Sequence, residues 1–161
     1  MGFGLNLPLK MANKDNPKKG ALFETAIARF LETQSISVQR NFPVDIGVDT
    51  VKRPHRFDLG TNRPKLVVEC KSHSWTEGGN APSAKMSVWN EAMYYFSLTP
   101  DDYRKMLFVL LSRFDAEGET LLCYYVRRFE HLIPFGVEIW EFDAESQTGQ
   151  CFYSARPRPL H

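Results

Sequence analysis

His55-Arg56-Phe57-Asp58-Leu59-Gly60, then Thr61-Asn62-Arg63-Pro64, then Lys65-Leu66-Val67-Val68-Glu69-Cys70-Lys71: this unbroken stretch decides the fold. The outer pieces read as strands and the middle one as turn chemistry, so the pattern predicts a hairpin with strands over 55–60 and 65–71. Side chains alternate along a strand. Glu69 and Lys71 therefore share one face, and Leu66, Val68 and Cys70 take the other. Asp58 comes to the face of Glu69 and Lys71 if the loop is even-numbered, and a slip of one residue sends it to the opposite face. Two carboxylates placed together repel unless a cation or a shared proton neutralises them. Magnesium is the usual cation, because it binds one or two carboxylates and keeps waters or phosphate oxygens in its remaining positions.

Upstream, Leu22, Phe23, Ala26, Ile27, Phe30 and Leu31 recur at helical spacing and predict an amphipathic helix over 20–33. Glu24 lies on the border of its apolar stripe, about 110° from the centre at roughly 100° per residue. Residues 1–19 carry Lys10, Lys14, Lys18 and Lys19 among Pro and Asn. They read as a flexible basic lead, either a solvated tail or a phosphate-contacting arm. From Ile36 to Asp49 the apolar residues stand at even positions, which predicts one long half-buried strand. Pro43 cannot donate a ladder hydrogen bond, so that strand belongs at an edge or is bulged.

Downstream, the polar stretch 72–83 with Gly78-Gly79 predicts a loop beside the charged strand end. Its one large aromatic, Trp75, is either a lid on the core or a substrate contact. Met86, Trp89, Ala92, Met93 and Phe96 predict a second helix over 84–97, with Asn90 and Tyr94 on one shoulder. The apolar run 106–111 has the pattern of a strand covered on both faces, hence a parallel partner reached by a crossover. Further strands are predicted over 120–126, 137–143 and 150–155, the last two as a hairpin. This order predicts a single α/β domain over 20–161 around a mixed sheet.

A chain of 161 residues with 43% hydrophobic content can bury one real core. Its net charge of +1 neither demands nor excludes nucleic acid, because a basic cleft can be balanced by acidic surface. Cys70, Cys123 and Cys151 are widely spaced in strand-like apolar contexts, which suits a reducing, cytoplasmic setting. They form no zinc-ligand pattern with the four histidines. No window has the ~20 apolar residues of a membrane span, so no membrane partner is expected.

The residues resemble those of a PD-(D/E)xK nuclease, the superfamily with the restriction-endonuclease-like fold, over roughly 20–111. Asp58 stands at that family's first acidic position, and Glu69-Cys70-Lys71 matches its (D/E)-x-K element, with Phe57 in place of the proline. The resemblance implies a three-layer core, a mixed central sheet flanked by helices, with additional C-terminal strands here. It implies a metal-dependent endonuclease acting on DNA. Asp58 and Glu69 would hold Mg2+, with Mn2+ able to substitute, and Lys71 would orient water and stabilise the transition state. Glu24 stands where branches of the superfamily place a further metal-proximal acid. Asn90-x-x-x-Tyr94 resembles the Gln-x-x-x-Tyr element of an exonuclease-like branch and would support the site; His73, two residues past Lys71, faces the same way if the strand continues and is a further candidate for site support, as a surface or phosphate-contacting residue more than a base. Lys18, Lys19, Arg53, Arg56, Trp75 and Lys85 are candidates for contacting nucleic acid. A homodimer through the C-terminal strands would extend the DNA-binding span.

Three other readings compete. An Asp, Glu and Lys set also arises as a structural ion-pair network. The same fold serves as an inactive nucleic-acid-binding or assembly subunit. A carboxylate-pair sugar hydrolase leaves Lys71 unexplained.

Overall fold

The computed structural model describes residues 16–154. The basic lead up to residue 15, and the Arg156-Pro157-Arg158-Pro159 segment, lie outside the described residues. Among the described residues, six strands form one mixed sheet flanked by three helices. The order is α1 (Asn16–Thr33), β1 (Gln39–Ile46), β2 (Arg53–Asn62), β3 (Lys65–Lys71), α2 (Ser83–Leu98), β4 (Arg104–Leu110), α3 (Leu121–Phe129), β5 (Val137–Asp143) and β6 (Thr148–Ser154). A 3-10 turn, Glu130–Leu132, follows α3.

The strands lie in chain order, β1-β2-β3-β4-β5-β6. The first three form an antiparallel meander, β3, β4 and β5 are parallel, and β6 returns antiparallel. The helix between β3 and β4 is the expected crossover connection. Alternation along the inner strands builds two cores. Leu66, Val68, Met106 and Phe108 face α1 through Phe23, Ile27 and Leu31. Val67, Leu107, Val109 and Ile139 face Met86, Trp89 and Phe96 of α2 and Leu121, Leu122 and Tyr125 of α3. The sheet is thus covered on both faces, which is why β4 is apolar nearly throughout.

Several expected boundaries move. The first helix starts at Asn16, so Lys18 and Lys19 belong to its first turn and not to the basic lead. Pro17 is well tolerated there, because first-turn N–H groups have no helical partner anyway. The long strand expected over 36–49 is cut to Gln39–Ile46. Ser35 takes a left-handed φ of 62° at the end of α1, and Ile36 and Val38 pack against the α1 core instead of extending the ladder. β1 is an edge strand, as Pro43 requires.

The largest correction concerns 120–126, which is helical. Leu121, Leu122 and Tyr125 bury one face of α3, and the Thr120 hydroxyl accepts the Cys123 N–H as N-cap. Cys123 is therefore on a helix, and Cys151 is exposed on β6. No helix among the described residues is long and apolar enough to cross a membrane.

Candidate active site

The two-residue turn Arg63-Pro64 sets Asn62 opposite Lys65, and the register runs on to Leu59 opposite Val68. One step further, the same register would set Asp58 opposite Glu69. In an antiparallel pair directly opposed residues share a face, so the hairpin has the even register that the pairing of these two acids needs. The ladder stops at that step. In its place the Cys70 backbone N–H donates to Asp58 Oδ2 at 2.7 Å. The carboxylate thus does the work of a ladder carbonyl while the strands part around it.

A second irregularity marks the same point on the other side of β2. Asn41, which would face Asp58, has a left-handed φ of 51°, and the pairing of β1 with β2 skips both residues. Phe57 belongs to the α2 core and Leu59 to the α1 core, although residues two apart on a flat strand share a face. Asp58 therefore sits where β2 turns over. The segment from Arg53 to Asp58 continues past β3, paired with β1 alone.

Glu69 is only 6% exposed. Its charge is held by Lys71, whose Nζ donates to Oε2 at 2.9 Å, and by His55, whose Nε2 lies 3.4 Å from Oε1. Burial works against the Glu69 charge, but His55 and Lys71 outweigh it and keep the carboxyl below its usual range. Burial also works against Lys71, yet Glu69 and Asp58 hold its ammonium above the ordinary value, so it is charged at neutral pH. Asp58 differs. Burial first, and then the Glu69 charge, push its carboxyl up to about 6 against the Cys70 N–H and Lys71.

Glu24 faces this group from α1. Arg40 Nη1 donates to Glu24 Oε2 at 3.0 Å, and the same guanidinium bonds Thr25 and the Ala21 carbonyl. Burial raises the Glu24 carboxyl against Arg40, with the Glu69 charge adding to the rise. Glu24 is thus within electrostatic reach of Glu69, but its direct partner is Arg40.

His73 follows β3 into the loop. Trp89 Nε1–H donates to its Nδ1 at 2.9 Å, which leaves the proton of the neutral ring on Nε2. Burial, helped by Lys85, Lys71 and Lys19, pushes this imidazole down to about 4. Lys71, Ser72 and His73 line an open cleft of about 340 Å³, together with Pro17 and Gly20 of α1 and Val88 of α2. Cys70 also lines it, but burial holds its thiol well above the ordinary value, which makes it a poor nucleophile.

The remaining expected residues are placed less centrally. Asn90 Oδ1 accepts from Tyr125 OH at 2.9 Å, which ties it to α3, and Tyr94 is exposed. Its neighbour Tyr95 points to the site instead: it stacks on His55 with centroids 3.9 Å apart. Trp75 packs edge-on against Phe114 and Tyr124, and its Nε1 donates to the Glu119 carbonyl, so it is a lid on the loops. Arg53 and Arg56 are exposed on β2, and Arg56 bonds the Asn41 carbonyl. Lys18 is exposed, whereas Lys19 and Lys85 are half-buried beside the cleft. His55 and Tyr95 are the residues that sequence reading missed. The available signal was the alternation that puts His55 on the same face as Phe57.

Among the described residues, no three His, Cys, Asp or Glu side chains form a ready-made metal cage. Magnesium needs no such cage, since it takes one or two carboxylates and completes its shell with water and phosphate. The donor set fits on its chemistry: the Glu69 charge raises the Asp58 carboxyl, which a cation beside it would relieve, and Asp58 Oδ1 accepts no hydrogen bond from the described residues. Comparison with protein-family models, curated proteins and solved structures gives no match.

Proposed function

We propose that this protein is a Mg2+-dependent nuclease that hydrolyses DNA phosphodiester bonds at the site built from Asp58, Glu69 and Lys71. One observation carries the reading. The register of β2 and β3 opposes Asp58 and Glu69 where the ladder opens, with Lys71 on the Glu69 face. A pure ion-pair network would neutralise its acids. Here Asp58 keeps a raised pKa despite Lys71 and, among the described residues, has no cation within ion-pair distance. The element order supports the same reading, since a helix, a three-strand meander, a crossover helix and a parallel strand are what a restriction-endonuclease-like core requires.

In this reading Asp58 and Glu69 hold the divalent cation, which when bound polarises a phosphoryl oxygen and acidifies a water. Lys71 stays charged, so it donates hydrogen bonds and stabilises charge on the phosphate and does not abstract a proton. His55 and Tyr95 are positioning residues. The imidazole holds Glu69 Oε1, and the phenol ring fixes the imidazole by stacking.

The test is incubation with plasmid, linear and branched DNA in Mg2+ or EDTA. The expected result is strand cleavage in Mg2+ only. DNA binding without cleavage of any of these substrates would instead favour an inactive binding subunit.

A further inference from the structure

Around the cleft beside the carboxylates, the fold gathers positive charge that it does not neutralise. Lys19 lies between Pro17 and Gly20, the two α1 residues that line the cleft, and Lys85 stands one turn before Val88 on α2. Both are half-buried, where an ammonium loses hydration. Among the described residues neither has a carboxylate within ion-pair distance, although Lys65, Lys71 and Lys105 each have one. Burial, and then the Lys85 charge, lower the Lys19 ammonium, so the two lysines repel each other. His73, which lines the cleft, feels the charges of Lys85, Lys71 and Lys19, with its Nδ1 committed to Trp89 and its Nε2–H left as a donor. Asn80 and Glu77 of the neighbouring loop bond neither lysine, and Gly20 leaves open space where a side chain would stand. Such a set recognises a compact, doubly or singly charged oxyanion that accepts several hydrogen bonds.

We propose that this cleft is a second phosphate subsite, in which Lys19, Lys85 and the Nε2–H of His73 hold a phosphate of the substrate strand that neighbours the scissile one. The inference rests on the nuclease reading for the identity of the strand. It does not rest on it for the binding of phosphate. The subsite explains why the first turns of α1 and α2 each bring a lysine to one opening, beside the neutral donor His73 in the segment after β3. It also assigns His73 a neutral donor role, distinct from acid or base catalysis.

The experiment measures binding in EDTA, where no hydrolysis occurs, on a fluorescein-labelled 12-mer duplex over a range of salt concentrations. Lys19→Ala and Lys85→Ala should each weaken binding and reduce the slope of log K against log salt by about 1. Lys65→Ala, at the far end of β3, should leave both unchanged. Thermal melting without DNA supplies the second readout. Each cleft variant should melt at the same temperature as the parent or higher, because repulsion is relieved, and should lose part of the stabilisation that inorganic phosphate gives the parent. Unchanged salt slopes in both cleft variants, or equal phosphate stabilisation of parent and variants, would overturn the proposal. That outcome beside Mg2+-dependent cleavage would remove the subsite and leave the nuclease; phosphate binding without cleavage would do the reverse.

Discussion

Asp58 concentrates the physical tension of the molecule. Its carboxyl is wanted by the Cys70 N–H for structure, and is raised to about 6 by burial and by Glu69. The sign of the resulting pH dependence follows from the shift. A folded pKa above the ordinary 3.8 means that the native state takes up a proton between those values, so the penalty of the charged form is fully present above about pH 6 and absent below about pH 4. In EDTA, Asp58→Asn keeps an acceptor for Cys70 and removes the charge. Urea unfolding should show the variant more stable at pH 8 by about 1–2 kcal/mol, a value reduced from the full linkage energy because solvent reaches part of the carboxyl. At pH 4 the difference should vanish. Added Mg2+ should close the gap at pH 8 by stabilising the parent alone. A variant less stable than the parent at pH 8 would show that the Asp58 charge is already satisfied.

At the scale of elements, β2 is the part that makes the site possible. It must pair with β1 throughout, pair with β3 only up to Leu59, and turn over in between. Gly60 allows the close approach, since a Cβ there would come 2.4 Å from the ring of Phe42. Gly60→Ala should therefore cost about 2–3 kcal/mol, because Phe42 is packed in the core and cannot swing away. Denaturation midpoints test it; an unchanged midpoint would mean that β2 relaxes without loss. The hairpin was legible because turn residues and alternation agree over 55–71. The helix α3 was not, because Leu121-Leu122-Cys123-Tyr124-Tyr125-Val126 is a short apolar run that suits a strand as well as a buried helix. Its helical signals were Thr120 as a cap and Arg127-Arg128 in the last turn. Thr120→Ala should lower stability by about 1–2 kcal/mol, since it removes the hydroxyl that accepts the Cys123 N–H and caps the helix. A loss below the error of the melt would deny the cap its role.

Over the whole molecule, the α/β class and the mixed sheet followed from the order of elements, and a β4 strand covered on both faces followed from its apolar run. The site was legible only where its residues lie on one hairpin. Asp58, Glu69 and Lys71 share a local register. Tyr95 reaches His55, and Lys19 comes within electrostatic reach of Lys85, only through the packing of the helices on the sheet, a proximity that no spacing in the chain encodes. Net charge was equally silent, because cations gathered at one opening are balanced by acids elsewhere at an overall +1. In the proposed function the carboxylate pair exists for chemistry and not for stability. Single-turnover cleavage of a labelled DNA duplex by the parent and by Asp58→Asn in Mg2+, with binding measured on the same duplex in EDTA, tests it most directly. The expected Asp58→Asn variant is at least as stable at pH 8, binds DNA equally well and cleaves roughly 100-fold more slowly or worse. Cleavage by Asp58→Asn at the parent rate, or by the parent in EDTA, would contradict it.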